Sequence, residues 1–219
     1  FRGTSRSISI PSLNLRTGSG SINLQARGSY NQAGNRPVWL ADIANLNLTP
    51  AGVEFIAKNL GSKVRLPKEI TRLGTLHLAG KAKGYGNTLA ARGNIDTDAG
   101  SMSLRGRKDG LRIQAHMETR GMDIGRILDN RQLGTVEAEI DVHGTMKHIF
   151  AKGNVARFHY GGYDFRNIRL DGDYDQKTLR GKASISDPNA DLSVEGDYAF
   201  ALRRYALNAT INHLRPGVL

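Results

Sequence analysis

Apolar and polar residues alternate with a period of two along most of the chain. Val136, Ala138, Ile140 and Val142 form one such run, and similar runs recur between short turn-forming stretches. This period is that of a β-strand with one apolar and one polar face. Because the connections between runs are short, we predict a mostly β protein, an antiparallel meander in which each strand pairs with the next.

Two segments break the alternation and predict short helices. The first is TPAGVEFIAKNLG at 49–61, in which Thr49 occupies the N-cap position, Pro50 lies in the first turn and Gly61 is a stop signal. The apolar residues between these signals have helical spacing. We therefore predict a helical insertion near residues 50–60.

The second segment is MDIGRILDNRQLG at 122–134. It predicts a shorter helix with Asp123 near its start, and PKEITRLG at 67–74 could add one turn. We thus expect one or two short helices in all. The domain prediction is a single β-rich module over residues 1–219, with helical insertions near 50–60 and 123–130.

Turn-forming residues predict the pairing of three strands late in the chain. Turns at 176–177 and 188–189 place Gly172 opposite Gly181 and Gly181 opposite Gly196. The same face aligns apolar residues, whereas on the other face each basic residue has an acidic residue on both sides, a favourable arrangement. The aligned sets are Ile168 with Ile185 and Leu192, Leu170 with Ala183 and Val194, Tyr174 with Leu179 and Tyr198, Asp171 with Lys182 and Glu195, and Asp173 with Arg180 and Asp197.

The same construction applies upstream. Turns at 86–87 and 99–100 pair Gly80 with Gly93 and Gly93 with Gly106. They also predict one apolar row across four strands. That row consists of Leu78, Ile95, Leu104 and Ile113.

A turn at 161–162 produces a conflict. It aligns Val155 with Ile168 and brings Arg157 opposite Arg166. Since like charges directly opposite each other are destabilising, we expect a bulge or a different register there.

Rows of glycine predict places where the sheet creases, because no side chains stand in the fold. A crease with apolar residues on its inner side is a groove, and the predicted fold is therefore a meander curled into an elongated trough. The alternative is that the glycines mark the corner of an orthogonally packed sandwich or barrel. The predicted groove residues are Leu78, Ile95, Leu104, Ile113, Ile168, Leu170, Ala183, Ile185, Leu192, Val194 and Ile211, and the predicted crease glycines are Gly80, Gly93, Gly106, Gly172, Gly181 and Gly196.

The charge balance is strongly basic. A net charge of +11 and a pI of about 10.1 favour acidic partners such as nucleic acid, anionic lipid headgroups or an acidic protein, although a basic surface alone is the plainer reading. Basic clusters lie at 105–108 and 202–204. The alternation places Tyr174, Tyr198 and Tyr205 on the apolar face, where they cannot stack on bases, so nucleic acid is not the expected partner.

No catalytic or metal-binding constellation is evident. DGDYD at 171–175 spaces three aspartates as a calcium loop does, but Gln176 and Lys182 occupy the positions where such a loop needs Gly and Glu. The six histidines are scattered singly, which favours solvated strand-end positions over a zinc site. There is no nucleophile elbow and no P-loop. We predict a non-enzymatic protein without cofactor or metal.

Several segments resemble the TamB-like translocation and assembly module proteins of the AsmA-like group, in particular versions from the Bacteroidota. The resemblance covers essentially the whole chain and consists of repeat patterns, not of catalytic signatures. It is carried by LNLTPAGVEFIAKNLG, LPKEITRLGTLHLAGKAKG, NTLAARGNIDTDAGSMSLRG, DIGRILDNRQLGTVEAEIDVHG and FHYGGYDFRNIRLDGDY with LRGKASISDPNADLSVEGDY.

The resemblance implies a periplasmic location, as a middle piece of a longer protein that is anchored in the inner membrane of a diderm bacterium and spans towards the outer membrane. It implies an Omp85-class barrel-assembly protein as partner, bound through other parts of the chain. It also implies a role in outer-membrane biogenesis, through phospholipid transfer, with acyl chains in an apolar groove, or through assembly of outer-membrane proteins. Two alternatives remain: a scaffold that accepts client strands at a sheet edge, and a basic nucleic-acid-binding module.

Overall fold

Fourteen strands form one antiparallel sheet in which the spatial order is the order along the chain. The computed structural model describes residues 2–4, 6–34, 36–59, 68–145, 147–175, 177–200 and 203–217. The mostly β meander predicted from the alternation is confirmed. The strands are β1 (Arg2–Thr4), β2 (Ser7–Arg16), β3 (Ile22–Ala33), β4 (Arg36–Leu48), β5 (Leu76–Tyr85), β6 (Thr88–Thr97), β7 (Gly100–Asp109), β8 (Arg112–Asp123), β9 (Leu133–Thr145), β10 (His148–Tyr160), β11 (Tyr163–Asp175), β12 (Thr178–Asp187), β13 (Ala190–Ala199) and β14 (Arg204–Leu214).

The first helix forms where the capping signals place it. Helix α1 spans Pro50–Asn59, and the Thr49 hydroxyl accepts a hydrogen bond from the backbone N–H of Gly52 at 3.3 Å. This bond satisfies one of the free donors of the first turn. Residues 60 and 61, the predicted end of the helix, lie outside the described residues.

Two further helices lie at the same rim of the sheet. Helix α2 spans Lys68–Arg72, and α3 spans Ile124–Leu128, so the described residues contain three helices where one or two were expected. The N-cap of α3 is Asp123, as predicted, and its carboxylate accepts from the N–H of Arg126 at 2.9 Å. The guanidinium of Arg72 donates to the backbone carbonyl of Ile127 at 3.2 Å and thereby joins α2 to α3.

The register predicted for β11, β12 and β13 is confirmed at every predicted pair. Gly172, Gly181 and Gly196 lie opposite one another in three successive strands. On the polar face Lys182 lies between Asp171 and Glu195, as the charge pattern predicts. The predicted turns are at 176–177 and 188–189. Residue 176 of the first turn lies outside the described residues.

The register predicted between β6 and β7 is wrong by two residues. Gly80 does pair with Gly93, but Gly93 pairs with Leu104 and not with Gly106. Thr97 pairs with Gly100, which places the two-residue turn at 98–99 and not at 99–100. A hydrogen bond from the Thr97 hydroxyl to the Gly100 carbonyl, 2.7 Å long, closes this turn.

The predicted row of Leu78, Ile95, Leu104 and Ile113 is consequently wrong beyond its first pair. Ile95 lies opposite Met102, Leu104 lies opposite Met117, and Ile113 lies opposite Lys108. Because a shift of two residues preserves the side-chain alternation, all four predicted residues still share one face.

The repulsion predicted between Arg157 and Arg166 is present, and β9 supplies an acidic residue that offsets it. Val155 pairs with Ile168 and Arg157 lies opposite Arg166, so the conflicting register is the one adopted. The expected irregularity occurs instead between β9 and β10, next to Arg157. There the Arg157 guanidinium donates to the Glu137 carboxylate, which offsets the repulsion between the two arginines.

Buried apolar side chains are few and lie near the rim that carries the helices. Among the described residues no large side chain is fully buried, and the apolar face is therefore largely open to solvent. The buried apolar residues are Ile22, Leu48, Ala99, Met122, Val155, Ile168 and Ala190.

Candidate apolar groove

The cross-strand pairs extend into continuous rows that run across the sheet at right angles to the strands. One row crosses thirteen successive strands and has an apolar side chain in all of them but β8, where its member is Thr119. We call it the first apolar row. It consists of Leu15, Leu24, Leu46, Leu78, Ile95, Met102, Thr119, Ala138, Val155, Ile168, Ile185, Leu192 and Ile211.

A second apolar row lies beside the first and also crosses thirteen strands without a charged residue. It is two residues away from the first row in every strand except β4, where a register shift makes the separation three residues. Leu104 and Leu170 in this row are 43% and 38% exposed, so the row faces solvent and not a core. The members are Leu13, Ala26, Ile43, Gly80, Gly93, Leu104, Met117, Ile140, Gly153, Leu170, Ala183, Val194 and Ala209.

The next row consists almost entirely of glycine and alanine, and we call it the small-residue row. It crosses eleven strands, and its one larger member is Val142. At about 4.8 Å per strand, its length along the sheet is roughly 50 Å. The members are Gly28, Ala41, Ala82, Ala91, Gly106, Ala115, Val142, Ala151, Gly172, Gly181 and Gly196.

Large residues return on the far side of the small-residue row. This outer row includes four tyrosines, and its charged member is Lys108. In ten of the eleven strands the member of the small-residue row has a larger apolar neighbour on at least one side, whereas in β5 Ala82 lies between Gly80 and Gly84. Except at β5, these rows together have the cross-section of a groove. The outer row contains Tyr30, Trp39, Gly84, Leu89, Lys108, Ile113, Gly144, Ile149, Tyr174, Leu179, Tyr198 and Tyr205.

The structure places all eleven predicted groove residues on this one face but distributes them over three rows. Six lie in the first apolar row, Leu104, Leu170, Ala183 and Val194 lie in the second, and Ile113 lies in the outer row. The small-residue row was only partly foreseen. Its alanines carry no signal in the sequence until the register of β6 and β7 is known.

The predicted crease glycines fall into two groups. A Cβ atom at Gly80 would lie 2.7 Å from the carbonyl oxygen of Arg92, and one at Gly93 would lie 2.9 Å from that of Ala79. Such distances are too short for a side chain, so the two strands approach closely at these glycines. A Cβ at Gly196 would collide with the Ala206 carbonyl in the same way.

The other glycines border open space. A Cβ at Gly172 would find no atom closer than 3.9 Å, and one at Gly181 none closer than 3.6 Å. A hollow of about 470 Å³ lies over this part of the apolar face, and Gly172, Gly181, Gly196, Leu170 and Val194 are among its lining residues. At Gly172 and Gly181 the missing side chains create volume and do not relieve a collision, whereas Gly196 borders the same hollow and also has a carbonyl close by.

Two carboxylates have an altered pKa, Asp42 on the polar face and Asp187 at the rim of the sheet. A hydrogen bond from the Arg27 guanidinium lowers the pKa of Asp42, and Lys81 acts in the same direction. Burial alone would raise the pKa of Asp187, but hydrogen bonds from the Tyr163 hydroxyl and from two backbone N–H groups lower it. These groups hold strands together and do not line the groove.

The histidines are better connected than their isolated positions in the sequence indicate. His116 is 14% exposed in its side chain, and its Nδ1 lies 2.8 Å from a carboxylate oxygen of Asp141 while its Nε2 lies 3.5 Å from Glu139. The Nε2 of His148 likewise lies 2.6 Å from a carboxylate oxygen of Asp173. The prediction of solvated strand-end histidines is therefore wrong for His116, which lies inside β8 and is largely buried. His148 does lie at the start of β10 and is 44% exposed in its side chain.

His116, Glu139 and Asp141 bring three possible metal ligands within 4.8 Å of one another. Each ring nitrogen of His116 faces a different carboxylate, and Asp141 also lies opposite Lys152. This arrangement is that of an imidazole between two acids, and the group offers no further sign of a bound ion.

No protein-family model, no curated protein and no solved structure matches the chain. The resemblance to TamB-like proteins therefore stays a prediction from the sequence. Among the described residues, no helix has the length and apolar character that crossing a membrane requires.

Proposed function

We propose that this protein is a module of outer-membrane biogenesis whose apolar groove carries phospholipid acyl chains between the inner and outer membranes. The observation behind the proposal is the small-residue row, which crosses eleven strands without a charged residue and lies between two rows that are apolar except for Lys108. An exposed apolar surface of this extent is a liability for a protein in water unless something covers it. Acyl chains fit that requirement because they are apolar, narrow and flexible.

The length of the groove is consistent with transfer along it. Two leaflets of acyl chains together span about 30 Å, so a groove of roughly 50 Å is longer than one chain. A chain that slides along it exchanges one apolar contact for another and stays out of water throughout. Such movement needs no nucleophile, acid or base, in keeping with a non-enzymatic role.

The test is lipid occupancy of the purified protein, measured by native mass spectrometry and by crosslinking to a photoactivatable phospholipid. Ala183→Glu combined with Val194→Glu places two carboxylates opposite each other in the groove. We expect this variant to lose bound lipid and crosslinking. The matched control is Ser184→Glu with Ser193→Glu, an opposed pair in the same two strands that faces the polar side.

The two variants have equal charge and adjacent positions, so only the face differs. Retained crosslinking in the groove variant, or equal loss in both variants, would reject the groove as a lipid site. Circular dichroism spectra of both variants check that the sheet remains intact.

A second candidate function is a scaffold for client strands, and the exposed edge of the sheet favours it. All eleven residues of β14 are exposed, and in the described part of the chain this strand pairs with β13 alone. A free edge of this length is a template for β-augmentation. Proline substitutions in β14 would then abolish client binding and leave lipid occupancy unchanged, whereas the groove variant would do the reverse.

A further inference from the structure

Five basic residues surround one alanine on the polar face, opposite to the groove. Lys83 and Arg107 lie directly across from Ala90 on its two sides, and Arg92 lies two residues further along the same strand. Lys81 in β5 and Arg105 in β7 lie directly opposite Arg92 on its two sides. We call these five cations and Ala90 the basic cluster; it belongs to β5, β6 and β7.

The cluster contains a direct repulsion. Lys81, Arg92 and Arg105 lie opposite one another in three successive strands, and residues so placed have Cβ atoms about 4.5–5.5 Å apart. Among the described residues, Lys83, Arg92 and Arg105 have no carboxylate within 4.0 Å, whereas Lys81 and Arg107 contact Asp42 and Asp109.

The same cross-strand row is neutralised elsewhere. Further along it, Lys152 and Lys182 alternate with Asp171 and Glu195, so that each cation has an acid directly opposite. The repulsive stretch is thus a local departure from the pattern of this face. A bound anion between the arginines would supply the charge that the neighbouring strands do not.

A hollow of about 970 Å³ lies over the cluster, and all five cations line it. The three opposed cations span about 10 Å, two interstrand distances. Asp42 lies next to them at one end of the row, and His116 followed by Asp141 lies at the other end. This length suits one or two phosphate groups. Nucleic acid fits poorly, because no Phe, Tyr or Trp of the described chain lines the hollow to stack on bases.

We propose that the basic cluster binds a phosphate group, held between the Arg92 and Arg105 guanidinium groups with Lys81, Lys83 and Arg107 around it. Guanidinium forks match the paired oxygens of phosphate and form charge-assisted hydrogen bonds with them. The phosphate is either a free anion or the headgroup of an anionic lipid at a membrane surface. The cluster lies on the face opposite to the groove, so this proposal stands or falls independently of lipid transfer.

The test compares Arg92→Gln with Arg105→Gln, as a double variant, with the double variant Arg180→Gln and Lys182→Gln. Both lose two positive charges from the polar face, but the second pair lies opposite acids. Inorganic phosphate is titrated against chloride at equal ionic strength, with the melting temperature and the heat of binding as readouts. Cosedimentation with phosphatidylcholine vesicles, with and without phosphatidic acid, provides the headgroup arm.

For whichever of the two ligands the unaltered protein binds, inorganic phosphate or vesicles with phosphatidic acid, we expect the cluster variant to lose affinity by about tenfold or more. The control variant should stay within about twofold of the unaltered protein. Binding of inorganic phosphate identifies a free anion, and binding only to vesicles with phosphatidic acid identifies a headgroup. Without ligand, the cluster variant should melt at the same or a higher temperature, since it removes a repulsion. The single variant Arg105→Gln provides a second measurement with one substitution fewer.

The proposal is overturned if neither phosphate source binds, or if the two double variants lose affinity equally, because net charge alone would then explain binding. Tighter binding of single-stranded DNA that phosphate does not displace would also overturn it.

Discussion

The hydroxyl of Tyr163 donates a hydrogen bond to the carboxylate of Asp187 and joins β11 to β12 at the rim of the sheet. Asp187 is only 6% exposed, and it also accepts from the backbone N–H groups of Arg166 at 3.1 Å and Asn189 at 3.0 Å. One carboxylate thus satisfies three donors at the rim where the few buried residues of the described chain lie. It therefore contributes to stability at this rim.

Asp187→Ala should lower the free energy of unfolding by about 1–3 kcal/mol, because it leaves buried donors without an acceptor. Tyr163→Phe removes one of the donors and should cost less. Asp197→Ala, at an exposed position in β13, is the control and should change stability by no more than about 0.5 kcal/mol. Urea unfolding followed by circular dichroism measures all three, and equal losses for Asp187→Ala and Asp197→Ala would contradict the assigned role.

Stability should fall in acid through Asp42 and Asp187, whose pKa values are both lowered in the folded protein. A carboxyl group with a lowered folded pKa contributes its full stability above the ordinary aspartate pKa of about 4. That contribution is lost as the pH falls through the lowered values. Urea unfolding at pH values from 6 downwards should therefore show a decline that begins near pH 4 and steepens below it.

The variant Asp42→Asn with Asp187→Asn should show a shallower decline over the same pH range, because it no longer takes up these protons on unfolding. Parallel curves for the two proteins would show that other groups cause the acid sensitivity.

Alternation and turn residues were sufficient to predict the meander and the register of β11, β12 and β13. The reason is that both faces of these strands constrain the register. A shifted register would separate Lys182 from Asp171 and Glu195 on the polar face and would also misalign the apolar residues on the other face. The same reasoning failed between β6 and β7, where no charge alternation supports either register. There the position of the turn depends on burial of Ala99 and on hydrogen bonds of Thr97, which the local sequence does not reveal.

That two-residue error hid the most extensive feature of the apolar face. With Gly106 opposite Gly93, the glycines form a short upstream row. With Gly106 opposite Ala91 and Ala115, they belong to the small-residue row that continues to Gly196. The contact of His116 with Asp141 was missed because it depends on the register between β8 and β9, which are connected through α3 and not by a short turn.

The two groups of glycines should respond differently to alanine. Gly93→Ala places a Cβ against a neighbouring carbonyl and should cost about 1–3 kcal/mol, as other overpacked sites do. Gly181→Ala has room for the methyl group and should be neutral or stabilising by up to about 1 kcal/mol, because alanine restricts the unfolded chain. Both positions are in strand interiors, so they are matched controls for each other in urea unfolding. Equal destabilisation by both substitutions would show that the close approach of the Ala79 carbonyl to Gly93 does not determine the cost of a side chain there.

The charge row on the polar face should measurably favour the observed register. Lys182 lies opposite Asp171 and Glu195, and its ammonium is 3.9 Å from the Glu195 carboxylate. Lys182→Gln should cost little, since exposed pairs contribute at most about 1 kcal/mol each. Lys182→Glu should cost more, by about 1–2 kcal/mol, because it replaces two attractions with two repulsions.

The difference between the two variants should shrink in high salt, which screens exposed charges. Adding Glu195→Lys to Lys182→Glu exchanges the signs of that pair and should recover part of the lost stability, because the attraction between β12 and β13 returns while the repulsion with Asp171 remains. Urea unfolding of the four proteins at low and high salt provides the measurement. If Lys182→Glu is no less stable than Lys182→Gln at low salt, the row does not stabilise the pairing, and the apolar face alone determines the register.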